Sequence, residues 1–210
     1  GTTTVANPGD EGIALNGANG AVTFASIDID NSSGRGVEII GATNNVTIGG
    51  GSIDDGAAPG GFGVTIQNQA ASSTIALTNV NITQNQGFAD AFNVQNALGV
   101  INVTGGTFTQ NGANDVVDID NGDATITIGA ALVNTSTGAA ANGIEIDGLT
   151  GGSVTFGGNY TSTGVGNAIK IGGITAPAGG SVTFNGAAPA SGGGNIVLTN
   201  GAAAVNFSSS

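Results

Sequence analysis

The chain has 210 residues and a formal net charge of −12, with only two basic residues, Arg35 and Lys170, and no Cys, Met, Trp or His. So few cations argue against nucleic acid and anionic membrane as partners, and the missing Cys and His exclude disulfide staples, thiol nucleophiles, Ser-His-Asp triads and ordinary zinc sites. No run reaches the roughly 18 apolar residues of a membrane span, so no membrane insertion is expected, and the 40 Gly show no Gly-X-Y period, which excludes collagen.

The opening "GTTTVANPGD" has neither the basic start nor the apolar stretch of a signal peptide, and the first residue is not Met. A processed product, or a segment of something longer, is the expectation. From residue 13 onward one phrase recurs. Ile13-Ala14-Leu15 is an apolar-x-apolar triplet, here called strand C; Val22-Thr23-Phe24 is a second, strand A; Ile29 then marks a weaker strand B. The next coil repeats the order with Val37-Glu38-Ile39, Val46-Thr47-Ile48 and Ile53.

Further C triplets begin at Val64, Phe92, Val117, Ile144, Ile169 and Ile196, and further A triplets at Ile75, Ile101, Ile126, Val154, Val182 and Val205, in unbroken alternation. Seven residues after the start of each A triplet, the B position continues with Ile82, Phe108 and Val133 and fades into Thr161 and Pro189. Strand side chains alternate, so the outer two residues of each triplet share an inner face and the middle one points out.

Two positions after each C triplet stand Gly17, Gly41, Asn68, Asn96, Asn121, Gly148, Gly173 and Asn200. Gly and Asn enter the left-handed backbone region at least cost, so the same tight corner is predicted in every coil. Three short strands per coil of 23–29 residues, with one strict corner and an elastic B-to-C loop, predict an all-β parallel β-solenoid of about eight coils over residues 1–210 as a single domain. Variable coils of this length point to the right-handed form. An antiparallel sandwich or barrel is the competing reading, disfavoured because hairpin folds seldom repeat one corner at a fixed offset.

These coils, with phrases such as "SVTF" and "AIKIGG", resemble the right-handed parallel β-helix repeats of bacterial surface proteins, of the autotransporter-passenger and large repetitive adhesin type. The resemblance covers the whole chain and implies an extracellular, cell-surface, non-enzymatic stalk or fibre segment. It brings no catalytic or cofactor-binding residue, and surface glycans are a further implied partner class.

Outward columns are where chemistry would sit. In strand C the column is Ala14, Glu38, Thr65, Asn93, Asp118, Glu145, Lys170 and Val197. Asp118 and Glu145, one coil apart, raise the alternative of a carbohydrate-active or carbohydrate-binding β-helix, since glycoside hydrolysis uses a carboxyl pair. The favoured reading is a solvated charge ladder relieved by Lys170. Asp28, Asp30, Asp54, Asp55, Asp118, Asp120 and Asp123 supply oxygens of the kind calcium takes, yet the calcium-binding nonapeptide does not recur, so weak surface binding of divalent cations is expected rather than a specific site. The strand A column, Thr23, Thr47, Ala76, Asn102, Thr127, Thr155, Thr183 and Asn206, raises ice binding as a third reading, although Thr is also a favoured outward strand residue.

The ends complete each other. The chain begins inside a coil and stops just past strand A, and joining Val205 to the next copy's Ile13 and Val22 gives intervals of 18 and 27 residues, within the internal ranges of 14–18 and 23–29. Head-to-tail stacking with itself, between protomers or as tandem repeats of one chain, is therefore expected.

Overall fold

The computed structural model describes residues 1–55, 61–85, 87–172, 180–186, 195–199 and 204–208. Among these there is no helix, and the chain winds a parallel β-solenoid of about seven turns with three sheets. Sheet A runs from Val22–Phe24 to Ala204–Phe207 and sheet C from Ile13–Asn16 to Ile196–Leu198, eight strands each, every neighbouring pair parallel.

The register stacks like on like. Val22 pairs with Val46 and Val46 with Ile75; Phe156 pairs with Phe184 and Phe184 with Phe207. From Val37 to Phe184 the inner residues of both sheets are buried, and each contributes about 1.5–3 kcal/mol against leaving it in water. Continuous apolar columns are how a chain with only eight Phe and one Tyr obtains a core.

The corner after strand C is left-handed wherever it is described: φ is 64° at Gly17, 62° at Gly41, 53° at Asn68, 52° at Asn96, 58° at Asn121 and 66° at Gly148. Gly173 and Asn200 lie outside the described residues. The requirement is backbone shape, which gives a direct test. Asn96→Gly is expected to unfold in denaturant near the wild-type midpoint, whereas Asn96→Val loses about 1–2 kcal/mol; equal midpoints for the two variants would refute the corner.

Sheet B departs from the sequence reading in two ways. Its seven described strands are Thr2–Ala6, Ser26–Asp30, Gly51–Asp55, Val80–Gln84, Thr107–Gln110, Ala131–Asn134 and Tyr160–Ser162. The first was missed, because Thr2–Ala6 has no apolar triplet and no preceding strand A from which to count; it pairs Val5 with Ile29. In the last two strands the inward positions are Leu132 and Tyr160, correcting Val133 and Thr161. Five residues separate Val103 from Phe108, but only four separate Ile128 from Leu132 and Phe156 from Tyr160. A one-residue slip turns every side chain of a strand over. Pro189 lies outside the described residues.

At the far end of sheet B the inward column turns polar: Gln84, Gln110, Asn134 and Ser162 stack in register and are at most 1% exposed. Buried amides need partners, and here they clamp the B-to-C loops. Gln84 Nε2 donates to Gly61 O at 2.7 Å, and Gln110 Nε2 donates to both Ala89 O at 2.8 Å and Asp115 O at 3.0 Å.

Candidate functional site

The outer face of sheet C carries a double polar column. In five coils one member stands one residue past the first inward position of strand C, and the other stands two residues before that position, where the loop enters the strand. The pairs are Arg35/Glu38, Asp90/Asn93, Asp115/Asp118, Asn142/Glu145 and Asn167/Lys170. Pairing sets Asp118 beside Glu145 and Glu145 beside Lys170, as the triplets predicted. The clamp on Gln110 fixes the two loop segments that bring in Asp90 and Asp115.

Bonds run both within a coil and between coils. Asn93 Nδ2 donates to Asp90 at 3.2 Å and to Asp118 at 2.9 Å; the Asp115 backbone N–H donates to Asp90 at 3.0 Å. The Asn142 backbone N–H donates to Asp115, its side-chain amide donates to Glu145, and Lys170 pairs with Glu145. Asn167 Nδ2 donates to Asn142 Oδ1 at 2.8 Å. At the other end of the face Arg35 bridges Glu38 at 2.7 Å and Glu11 at 3.7 Å and lies over the Phe62 ring.

The predicted ladder of Asp118, Glu145 and Lys170 is half-buried, and the residues packed beside it are buried. Thr65 and Asn93 are 0% and 1% exposed, Asp90 2% and Asp115 5%, because the entering loop residues close over the column. Burial then changes the acids. Loss of hydration raises Asp90 from an ordinary 3.8 to about 6, opposed by its bonds from Asp115 and Asn93. Desolvation, and the nearby Asp90 and Glu145 charges, raise Asp115 to about 8; desolvation and the Asp90, Asp120, Asp115 and Glu145 charges raise Asp118 to about 9. Desolvation and repulsion by Asp147 raise Asp120 too. Burial and mutual repulsion thus favour the protonated forms of Asp115 and Asp118 in the fold. Lys170 is raised by its bond to Glu145, which holds its ammonium form.

Chemically this is a face of desolvated carboxyls whose protonated forms are favoured. Asp118 stands one rung from Glu145, about 4.8 Å along the axis. Both carboxyls are already bonded within the protein, Asp118 to Asn93 and Glu145 to Asn142 and Lys170. A groove of about 560 Å³ lies elsewhere, at the corner after strand C, lined by Asn68, Gln69, Asn96, Leu98, Asn121 and Thr150, with none of these acids in it.

Among the described residues no three acidic side chains are placed to hold a metal ion. Asp28 accepts from Ser52 at 2.7 Å, Asp30, Asp54 and Asp123 are exposed, and the Asp55 side chain lies outside the described residues. The strand A column stacks Thr23, Thr47, Ala76, Asn102, Thr127, Thr155, Thr183 and Asn206 in that order.

Sequence reasoning missed Asp90, Asp115 and Asn142. The available signal was the polar residue two places before Phe92, Val117, Ile144 and Ile169, a column that Phe62 and Gly194 interrupt before Val64 and Ile196. The chain matches no protein-family model, no curated protein and no solved structure.

Proposed function

We propose that this chain is a non-enzymatic structural and adhesive element of an extracellular surface, a β-solenoid rod segment whose work is to extend and resist unfolding. One observation carries the reading: polar side chains are spent on joining coil to coil. Thr43 to Asn19, Ser52 to Asp28, Gln67 to Gln95, Asn111 to Asn85, Thr135 to Asn111 and Ser208 to Asn185 all bond residues 23 to 28 apart, one rung. The extracellular placement rests on the likeness of the coils to bacterial surface repeats.

A second reading, a carbohydrate-active or carbohydrate-binding β-helix, is favoured by one feature, the pairing of Asp118, whose pKa desolvation raises, with Glu145 on the next rung. The two separate in a reducing-sugar release assay over a panel of polysaccharides, run on wild type and Glu145→Gln. The structural reading expects no release from either protein and a stability change of about 1 kcal/mol or less, because the Lys170 pair is a partly exposed one. Turnover by wild type that falls about a hundredfold or more in the variant would establish the enzyme instead. Ice binding is tested in parallel by recrystallisation inhibition.

A further inference from the structure

The groove at the corner after strand C exists because one coil departs from the repeat. Strand A begins nine residues after strand C from Ile13 to Val22, Val37 to Val46, Phe92 to Ile101 and Val117 to Ile126, but eleven from Val64 to Ile75. The longer corner is bonded to the coil before it and to itself: the Ala70 backbone N–H donates to Ala42 O at 2.9 Å, Ser72 Oγ to Thr43 O at 3.4 Å and Ser73 Oγ to Ala70 O at 3.0 Å. Gln69 and Ala70 of this corner form one side of the groove, and Asn96, Leu98 and Asn121 of the next two coils continue it. Its volume of about 560 Å³ lies within the range of ligand sites.

The polar groups in it lack partners. Asn68, Asn96 and Asn121 stand on successive rungs, about 4.8 Å apart, in one left-handed conformation. Elsewhere asparagines on neighbouring rungs bond to each other, as Asn31 does to Asn7, Asn111 to Asn85 and Asn167 to Asn142. The side-chain amides of Asn68, Asn96 and Asn121 are exposed and bond to none of the described residues. Beside them Gln69 is 1% exposed; its Nε2 donates to Ser73 O at 3.0 Å and Val100 O at 3.1 Å, while its Oε1 has no partner among the described residues. Leu98, 51% exposed, adds an apolar surface, and none of the described residues lining the groove is ionisable.

We propose that this groove binds an uncharged polysaccharide laid along the rod axis across the rungs of Asn68, Asn96 and Asn121. This rests on the structural and adhesive reading above and gives it a site and a class of ligand. A carboxamide offers two donors and an acceptor, and a sugar hydroxyl both donates and accepts, so a row of free amides one rung apart suits a chain of hydroxyl-bearing rings. Leu98 meets the C–H face of a ring. An anionic glycan is disfavoured, because Asp123 is exposed two residues from Asn121 and the chain carries a formal −12. An extended peptide is disfavoured too: the corner backbone is already paired, Asn68 N–H to Gln95 O and Leu98 N–H to Gln69 O, which leaves no strand edge to join.

Affinity electrophoresis tests the site, in native gels cast with dextran, a soluble β-glucan, galactomannan or, as the anionic comparison, polygalacturonate. Wild type is expected to be retarded by at least one neutral polymer and not by polygalacturonate. Asn96→Gly with Asn121→Gly removes two amides and keeps the corner conformation, and Leu98→Asp removes the apolar contact. Each should raise the apparent Kd at least about tenfold, on chains that keep the wild-type β circular dichroism. Asn79→Gly, the same change at a φ of 51° in the corner after strand A, should migrate as wild type does. Free migration of wild type in every gel, retardation by polygalacturonate alone, undiminished retardation of the groove variants, or an equal loss in Asn79→Gly overturns the site. Free migration leaves the structural reading standing, because turnover of a polysaccharide, and not the absence of binding, is what would overturn that reading.

Discussion

The melting temperature is expected to fall as pH rises, by on the order of 10 °C between about pH 4.5 and about pH 9.5. In the unfolded chain Asp90, Asp115 and Asp118 titrate near 3.8, whereas in the fold they titrate near 6, 8 and 9. Between those values the native state binds more protons than the unfolded one, so stability falls with pH. It is fully present below the unfolded value and is lost as pH climbs through the folded ones. Displacing a pKa by one is worth about 1.4 kcal/mol, and about 2–4 °C follows per kcal/mol at this chain length. The three acids share one patch with Asp120, Glu145, Asp147 and Lys170, so their contributions do not add. Lys170 acts in the same direction, since its raised pKa favours the fold until it deprotonates. Asp115→Asn with Asp118→Asn should flatten the profile and raise stability at high pH. Calorimetry across the range decides it: a flat or rising wild-type profile would show that these carboxyls are ionised in the fold.

Phe92→Ala should cost about 3–5 kcal/mol, the range for emptying a buried aromatic site. Phe92 and Phe108 are both fully buried and stack across the core at 5.3 Å. The cost falls in the fourth of eight strands of sheet C. In a quasi-linear array stability is a sum of rung and neighbour terms, so a weak central rung divides the rod into two cooperative parts. The expected result is a melting temperature lower by about 10 °C and a transition that broadens or splits. Phe207→Ala, at the exposed end, is the matched control, and a loss as large as that of Phe92→Ala would mean the rod melts as one unit.

Much of this fold was legible because it rests on local rules repeated many times. An apolar-x-apolar triplet fixes which face is inside, and the Gly or Asn two residues on fixes the corner; both hold from Ile13 to Gly148. Strand B was less legible, since its place is set by the length of the corner before it, and one residue fewer after Ile128 moves Leu132 inward in place of Val133. The acidic face was least legible. Asp118, Glu145 and Lys170 stack as the triplets predicted, but the burial of Asp90 and Asp115 beside them depends on where the B-to-C loop runs. That path is held by Gln84, Gln110 and Asn134, amides that read from sequence as surface residues.

The left-handed corner also bears on how such a chain is inherited. From Asn68 to Asn96 and from Asn96 to Asn121 the backbone returns to one conformation after 28 and 25 residues. A copying error that duplicates or drops such a stretch adds or removes a whole rung and changes the environment of only the rungs that flank it. The quantum of viable length change is thus a coil, whatever its residue count, and slippage between similar coils gives a lineage rods of different reach at little cost to folding.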